Sequence, residues 1–435
     1  MSLPVTTIWE VRPTIGSDTA GGAFDPAIAG AGTDYSQQNA PNSTGNNKST
    51  TDGVGTGSTT INSATASFTS AIVGNIVYFD TQWYEVTAFT DSANVVVERA
   101  TTSGTGLVLN IGGALATISQ FIINIGTSIS GLPGNTCYVK NTGNYVTTTT
   151  QVIGSSIVGH VTTFIGYGTT RGDSVRVVWT TSTNSINLIN HYNCTNIRMD
   201  NFEFSSTAGT PGDGVHALYN GYDICFVNCQ FTGFAAGVNG NYNVDYTYPR
   251  LSLIGCEINN NNIGLINCGI SSIIASHIHN NTTIGVELVD GQSGQFLISH
   301  SVIRANGTYG VRWNSSDNSQ FSILNSAIID NVSDGYYVSQ TNNGPLISIN
   351  NIWDSNGGYG INVVSGAGWQ TLLVNNAFRN NTSGKYTGLF PSNGVGEIIL
   401  TADPFTNRST GDFTLNSTAG GGPLLVSTGY PTIIP

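Results

Sequence analysis

One apolar position recurs along the second half of the chain at intervals of roughly 20 to 30 residues, the spacing typical of solenoid repeats. This anchor column is apolar throughout and consists of Phe202, Phe231, Ile258, Ile278, Ile303, Ile328, Ile352 and Phe378. The column three positions after the anchors is mostly asparagine and consists of Ser205, Phe234, Asn261, Asn281, Asn306, Asn331, Ser355 and Asn381. Both columns together predict one supersecondary unit that is used again and again.

Within each repeat, apolar and polar residues alternate over short stretches, which is the period of a β-strand and not of a helix. Asparagine and glycine interrupt these stretches, and most repeats carry a glycine followed by an apolar residue, as in Gly285-Val286. Both residue types tolerate the positive φ that tight turns require. Stacking the repeats ~4.8 Å apart places the apolar columns inside and lets asparagine amides bond along the stack. The pattern therefore predicts an all-β protein built around a parallel β-helix.

The chain around the repeats divides into four predicted regions. The β-helix is expected over residues 113–390, because the same texture extends upstream with less regular spacing. Residues 55–112 hold short apolar stretches between Asp, Ser and Gly turns, which predicts a small antiparallel β unit. Residues 1–54 contain little core material and predict an extended N-terminal arm, which we expect a neighbouring chain to hold in place. Residues 391–435 are expected to cap the open end of the β-helix.

Charge is scarce, with 13 basic and 25 acidic residues among 435 and a net charge of −12. No basic stripe is present to neutralise phosphates, so nucleic acid is excluded as a partner. No apolar run reaches the ~18 residues that span a bilayer, which predicts no membrane insertion. Residues 1–10 lack a basic segment followed by an apolar one, so no signal peptide is expected. A neutral, amide-coated rod also has few of the perturbed ionisable groups that active sites need.

Several stretches resemble known proteins. Residues 163–173 and 175–179 are similar to the entry coils of right-handed parallel β-helix proteins of the pectin-lyase-like class. Residues 9–13, 32–39 and 110–116, together with the C-terminal cap, resemble tailed-bacteriophage virion surface proteins that contain such a β-helix. The resemblance implies a tailspike, tail fibre or capsid decoration protein, commonly a homotrimer, located on the virion and made in the host cytoplasm.

Residues on either side of each anchor are predicted to point away from the β-helix, because side chains alternate along a strand. In this arrangement Glu257 and His277 are neighbours on adjacent coils, as are His279 and Arg304. We interpret this face mainly as solvated, with a few paired charges. Polysaccharide hydrolysis would need two carboxylates and elimination would need a base, for which the weak candidates are Glu203, Asp213, Glu257 and His277. The residues expected to bind a glycan or a partner on this face are His279, Arg304, Trp353 and Arg379.

Two loops add candidates. Asp213 lies in a Gly-Asp-Gly sequence that is ordinary for a turn, and we favour the turn over a catalytic role. The loop over residues 239–250 carries Tyr242, Tyr246 and Tyr248, whose rings either bind sugars or a partner, or fold back over the coil. The two histidines His277 and His279 share a face, but no third ligand is evident, so neither a metal nor any other cofactor is expected.

The sequence thus favours a structural protein exposed on a bacteriophage virion, as a capsid decoration or as a spike or fibre, that binds host surface glycans. We expect a homotrimer that contacts other virion proteins through the N-terminal arm. An enzyme is the less favoured reading, and it would be a polysaccharide hydrolase or lyase. The alternative function is accordingly a tailspike depolymerase that cleaves a host polysaccharide.

Overall fold

The protein is described by a computed structural model that covers most of the chain. The described residues are 8–14, 16–20, 23–24, 43–44, 47–125, 135–154, 161–169, 171–192, 195–218, 222–240, 250–267, 271–289, 295–314, 320–339, 345–363, 371–388 and 394–426. They belong to two compact units. The first consists of Met1–Val146, Ile153–Trp179 and Cys194–Phe202, and the second of Thr147–Val152, Thr180–Asn193 and Glu203–Pro435.

The first unit contains a seven-stranded antiparallel sheet, whose first two strands begin before residue 55, in the region predicted as the arm. Its strands are Ser43–Thr44, Asn47–Thr56, Thr60–Asn62, Ile76–Phe79, Gln82–Asp91, Asn94–Val97 and Ser103–Ile111. Asp80 and Thr81 join two of them with φ values of 44° and 64°, the tight hairpin turn that matches strand twist. Buried aliphatic and aromatic residues, among them Phe79 and Val95, form the core of this sheet.

A parallel sheet begins in the same unit. Its strands are Ala23–Phe24, Ile8–Val11, Thr136–Lys140, Thr162–Tyr167 and Thr195–Asp200, and only the first of these is antiparallel to its neighbour. Trp9 is fully buried, and its ring Nε1 donates to Asn135 Oδ1 at 3.1 Å. Glu10 is also fully buried and is paired with Arg12 and Arg171. This part of the predicted arm is therefore held by strands of its own chain and contributes the buried residues Trp9 and Val11, in a region where the sequence analysis expected little core material.

The second unit is a β-helix of three parallel sheets. Sheet I consists of Tyr222–Val227, Leu251–Ile254, Ser271–Ile274, Gln295–Ser299, Gln320–Leu324, Leu346–Ile349 and Thr371–Val374. Sheet II consists of Phe202–Ser206, Gln230–Thr232, Glu257–Asn259, His277–His279, Val302–Arg304, Ala327–Ile329, Ile352–Asp354, Ala377–Arg379 and Ile398–Ile399. Sheet III consists of Ile189–Tyr192, Val215–Leu218, Ala236–Gly240, Ile263–Asn267, Ile284–Val289, Val311–Asn314, Tyr336–Val338, Tyr359–Val363 and Gly384–Thr387. The predicted right-handed parallel β-helix is confirmed.

Asparagine builds the corner between sheets II and III. Asn280 has a φ of 55°, and the next residue, Asn281, turns its amide into the interior. Asn281 donates through Nδ2 to Asn306 Oδ1 at 3.0 Å, and its backbone N–H donates to the same oxygen at 3.2 Å. This bond recurs from coil to coil through Asn261, Asn281, Asn306, Asn331, Asn356 and Asn381. Each ladder amide therefore pairs a buried backbone N–H that the corner leaves without a sheet partner.

The remaining elements are short. Three strands lie where the two units divide, namely Tyr145–Val146, Gln151–Gly154 and Val177–Thr181. The C-terminal segment, residues 401–426, contains the antiparallel strands Phe405–Asn407 and Asp412–Leu415. The helices within the described ranges are the α-helices Ile118–Ile125 and Gly422–Val426 and the 3-10 helices Ser70–Ile72 and Arg408–Thr410. Among the described residues no helix has the length and apolar character needed to cross a membrane.

Candidate functional site

Sheet II carries the predicted binding face, but its register differs from the prediction at two coils. The inner column is Phe204, Phe231, Ile258, Ile278, Ile303, Ile328, Trp353 and Phe378. Phe204 thus replaces Phe202 as an anchor, and Trp353 replaces Ile352. Since a shift by one residue exchanges the two faces of a strand, Trp353 lies inside, fully buried, and not on the binding face as predicted. Asn356 likewise takes the ladder position predicted for Ser355.

The predicted neighbours Glu257, His277, His279 and Arg304 do come together on the outer face of sheet II, with contacts that run diagonally between coils. Glu257 Oε1 lies 3.2 Å from His279 Nε2 and accepts a hydrogen bond from the Asn259 amide at 2.7 Å. Arg304 Nε donates to His277 Nε2 at 3.0 Å, so that this ring nitrogen is an acceptor. The two imidazole rings lie 4.1 Å apart. All four residues are thus engaged with one another and with Asn259.

From His277 to Leu400, the outer face of sheet II is covered by the C-terminal segment. Apolar outward residues of five coils pack against the apolar side chains of that segment in one buried cluster. Its members are Val302, Ala327, Ile329, Ile352, Ala377, Leu400, Phe405, Phe413 and Leu425. Phe413 also meets the His277 ring edge-on, with the ring centroids 5.5 Å apart. The expectation of a solvated face is therefore wrong for these coils, whereas Glu203, Gln230 and Glu257 on the earlier coils are partly exposed. The segment lies along the side of the β-helix and not only at its end.

A network of arginines and aspartates fastens the C-terminal segment to sheet II. Arg408 in the segment reaches Asp330 Oδ1 at 2.7 Å, and it also pairs with Asp354 and Asp403. Arg379 donates to Asp354 Oδ2 from Nη2 at 2.8 Å and from Nε at 3.0 Å. Asp354 is fully buried, so that both arginines compensate a carboxylate that has no contact with water. Arg379, predicted to bind a glycan, is thus committed to this network.

Burial sets the protonation of two groups beneath the segment. Burial, together with smaller contributions from His279 and Arg304, lowers the pKa of His277 to about 3. Burial likewise raises the pKa of Asp330, against the opposing effect of Arg408. Both groups contact the segment, His277 through Phe413 and Asp330 through Arg408. From His277 onward, the outer face of sheet II therefore holds the C-terminal segment, while the Glu257 carboxylate beside His279 keeps 33% of its side-chain surface exposed.

The structure places the other predicted site residues in different surroundings. The Asp213 carboxylate joins neighbouring coils, because its Oδ2 accepts from the Asn239 amide at 2.8 Å and lies 3.0 Å from His216 Nδ1. Glu203 pairs in register with Gln230, two positions from the predicted alignment, and is partly exposed. The three loop tyrosines Tyr242, Tyr246 and Tyr248 lie outside the described residues. Within the described ranges no three metal-ligating side chains form a cluster.

The outer face of sheet III contains polar and aromatic residues that the sequence analysis did not single out. Their positions follow from the recurring glycine, since the residue two places after it points outward. This column consists of Asn239, Ile266, Glu287, Arg312, Tyr337 and Asn362. The column just before the glycine adds Tyr309 and Asp334 to the same region. We call Glu287, Tyr309, Arg312, Asp334 and Tyr337 the sheet III patch.

The sheet III patch is connected by short contacts. The rings of Tyr309 and Tyr337 stack with centroids 4.5 Å apart and planes inclined by only 6°. Arg312 Nη1 lies 3.5 Å from Glu287 Oε1. Burial raises the pKa of Glu287, and the arginine opposes this rise. Burial also raises the pKa of Tyr309, with smaller contributions from Tyr337 and from the carboxylate of Asp334. Both tyrosines are partly exposed, in contrast to the covered residues of sheet II.

Comparison with solved structures finds proteins with a similar path of the chain. A pectate lyase, Pel9A, is 17% identical, with 71% of this chain and 85% of that one covered and a TM-score of 0.49. A rhamnogalacturonan lyase is 12% identical, with 71% and 90% covered and a TM-score of 0.48. The A-module of the Azotobacter vinelandii mannuronan C-5 epimerase AlgE4 is 14% identical, with 65% and 76% covered and a TM-score of 0.40. No protein-family model and no curated protein sequence matches the chain.

Proposed function

We propose that this chain is a structural protein exposed on a bacteriophage virion, where its β-helix forms a stiff rod that binds host surface glycans. The observation that carries the non-enzymatic part is the covered outer face of sheet II. Its carboxylates Glu257 and Asp354 are held by His279, Asn259 and arginines, and apolar side chains of the C-terminal segment fill the rest of the face. A face used in this way stabilises the rod, and its partly exposed carboxylate Glu257 is already engaged by His279 and Asn259.

The virion location is supported by the composition and by the resemblance of several stretches to phage surface proteins. A rod whose interior is filled by stacked apolar columns and amide ladders remains rigid without many charges. We further propose that the rod assembles as a homotrimer and contacts other virion proteins through residues 1–54. Whether it decorates the capsid or forms a tail spike or fibre is one outcome of the experiment below.

The experiment has two arms. Purified particles of the phage that encodes the chain are labelled with an antibody against it and imaged, and we expect label on the capsid or on the tail. Purified protein is incubated with the polysaccharide of the host surface, and the polysaccharide is then analysed by size-exclusion chromatography and a reducing-end assay. We expect the length of the polysaccharide to be unchanged. Absence of label from the particles contradicts the virion location. Shortened polysaccharide chains contradict the proposal that the protein is structural and not an enzyme.

A polysaccharide depolymerase is the second candidate function, and the observation that favours it lies on sheet III. Glu287 is buried and burial raises its pKa, which is a property of a general acid, while the neighbouring Arg312 opposes this rise. If the incubation shortens the polysaccharide, Glu287→Gln is expected to abolish the cleavage, and Glu203→Gln on sheet II is the matched control. Cleavage that persists unchanged in Glu287→Gln excludes this residue as the acid.

A further inference from the structure

Aromatic side chains on the outer face of sheet III are concentrated in one place. In the two columns beside the recurring glycine, the positions equivalent to Tyr309 are Ala236, Ile263, Ile284, Asp334 and Tyr359, and those equivalent to Tyr337 are Asn239, Ile266, Glu287, Arg312 and Asn362, so that the aromatic residues fall on three consecutive coils. The two tyrosine rings stack in parallel at 4.5 Å and remain partly exposed. A rigid aromatic pair of this kind offers a ligand apolar contact area at little cost in conformational entropy, and tyrosine hydroxyl groups at such sites remain solvated.

Polar groups suited to hydroxyl ligands surround this pair. In the described part of the chain, Arg312 Nε is buried without a hydrogen-bond partner, although the arginine side chain keeps 30% of its surface exposed. The nearby Glu287 carboxylate is contacted by Arg312 at the long distance of 3.5 Å, which leaves it able to accept further hydrogen bonds. Unpaired donors and acceptors next to an aromatic surface are the composition of a ligand site, with a few polar groups that fix orientation.

Charge decides which class of ligand fits. The sheet III patch contains two carboxylates, Glu287 and Asp334, against the single guanidinium of Arg312, and the whole chain carries a net charge of −12. Asp334 is itself satisfied, because its Oδ1 accepts from the backbone N–H of Tyr359 at 2.6 Å and its Oδ2 accepts from the Asn362 amide at 2.9 Å. An acidic sugar would meet repulsion from this surface, whereas a neutral sugar can stack its C–H face on a tyrosine and donate hydroxyls to Glu287.

We propose that the sheet III patch is a binding site for a neutral hexose unit of a surface glycan, with Tyr309 and Tyr337 as the stacking platform and with Arg312 and Glu287 as the hydroxyl-binding groups. This site specifies where and what kind of glycan the rod binds, and it rests on the glycan binding proposed above. It replaces the face of sheet II that the sequence analysis favoured. The predicted residue Trp353 has no part in it, because that side chain faces the interior.

The test uses the full-length protein and a panel of defined oligosaccharides, with neutral glucans, mannans and galactans set against oligogalacturonate and oligosialic acid. We expect the protein to bind at least one neutral oligosaccharide and to bind the acidic ones at least tenfold more weakly. Tyr337→Ala is expected to weaken binding at least tenfold, and Glu287→Gln severalfold. The conservative variant Tyr337→Phe keeps the ring and is expected to retain binding within about twofold.

The matched control is Tyr78→Ala, which removes a partly exposed tyrosine of the antiparallel sheet and is expected to leave glycan binding unchanged. A melting curve of each variant separates lost binding from lost folding. Lack of binding to every neutral oligosaccharide overturns the proposal, as does a preference for the acidic ones or undiminished binding by a folded Tyr337→Ala. Since particle labelling is independent of these measurements, the sugar site can fail while the virion location stands.

Discussion

The titration of His277 tests whether the outer face of sheet II is covered. Burial, aided by His279 and Arg304, lowers its pKa to about 3 from the ordinary 6.5. A depressed pKa means that the folded protein favours the neutral ring, which accepts the hydrogen bond from Arg304 Nε. The unfolded chain takes up this proton below about pH 6.5 and the folded chain does not. Stability from this group is therefore complete above that pH and is lost as the pH falls toward 3.

The size of the effect follows from proton linkage. One proton bound only by the unfolded chain changes the free energy of unfolding by ~1.4 kcal/mol per pH unit. From pH 7.5 to pH 4.5, the shift of His277 accounts for a loss of ~2.7 kcal/mol. The variant His277→Gln keeps an acceptor for Arg304 but has no proton to bind. Between pH 7.5 and pH 4.5, the free energy of unfolding of this variant is therefore expected to fall by ~2.7 kcal/mol less than that of the unaltered protein.

Two measurements check this expectation. In protein with isotope-labelled histidine, the ring resonance of His277 is identified by its absence from His277→Gln and followed from pH 8 to pH 4.5. We expect no titration over this range. Urea unfolding of both proteins at the two ends of the range then measures the difference in stability. A titration midpoint near 6.5 would show that the ring is solvated, and the reasoning that the C-terminal segment covers this face would be refuted.

Three further substitutions address the same arrangement. Arg408→Met leaves the Asp354 carboxylate with one partner fewer and is expected to destabilise the C-terminal segment by ~3–5 kcal/mol. The measurement is limited proteolysis within residues 401–426, which we expect to be faster, and cleavage as slow as in the unaltered protein would contradict the network. Trp353→Ala is expected to destabilise the β-helix by ~3–5 kcal/mol and to leave glycan binding by the folded protein intact, and an unchanged melting temperature would place the indole outside. Asn306→Ala removes the acceptor of the Asn281 backbone N–H and is expected to cost ~1–3 kcal/mol in urea unfolding, whereas no loss would mean that the ladder bond is dispensable.

Local chemistry was enough to predict the β-helix. The repeat period, the strand alternation and the asparagine column at Asn281 and Asn306 are all properties of neighbouring residues. Asparagine tolerates a positive φ, and its amide pairs with an identical amide one coil away, so the corner can be recognised without knowledge of the rest of the molecule. The outward column two places after each glycine was equally readable, and it locates Glu287 and Tyr337.

Two features depended on contacts between distant parts of the chain. At the coil of Ile352 and Trp353 both residues are apolar and both are buried, so alternation does not decide which one faces inward. Apolar outward residues such as Val302 and Ile329 already indicated that something covers sheet II, but the covering residues lie some hundred positions later in the C-terminal segment. The repeat pattern therefore specified the coils of the β-helix, and only the tertiary structure decided which of its faces is buried and which remains open to a ligand, because burial of a face depends on what packs against it.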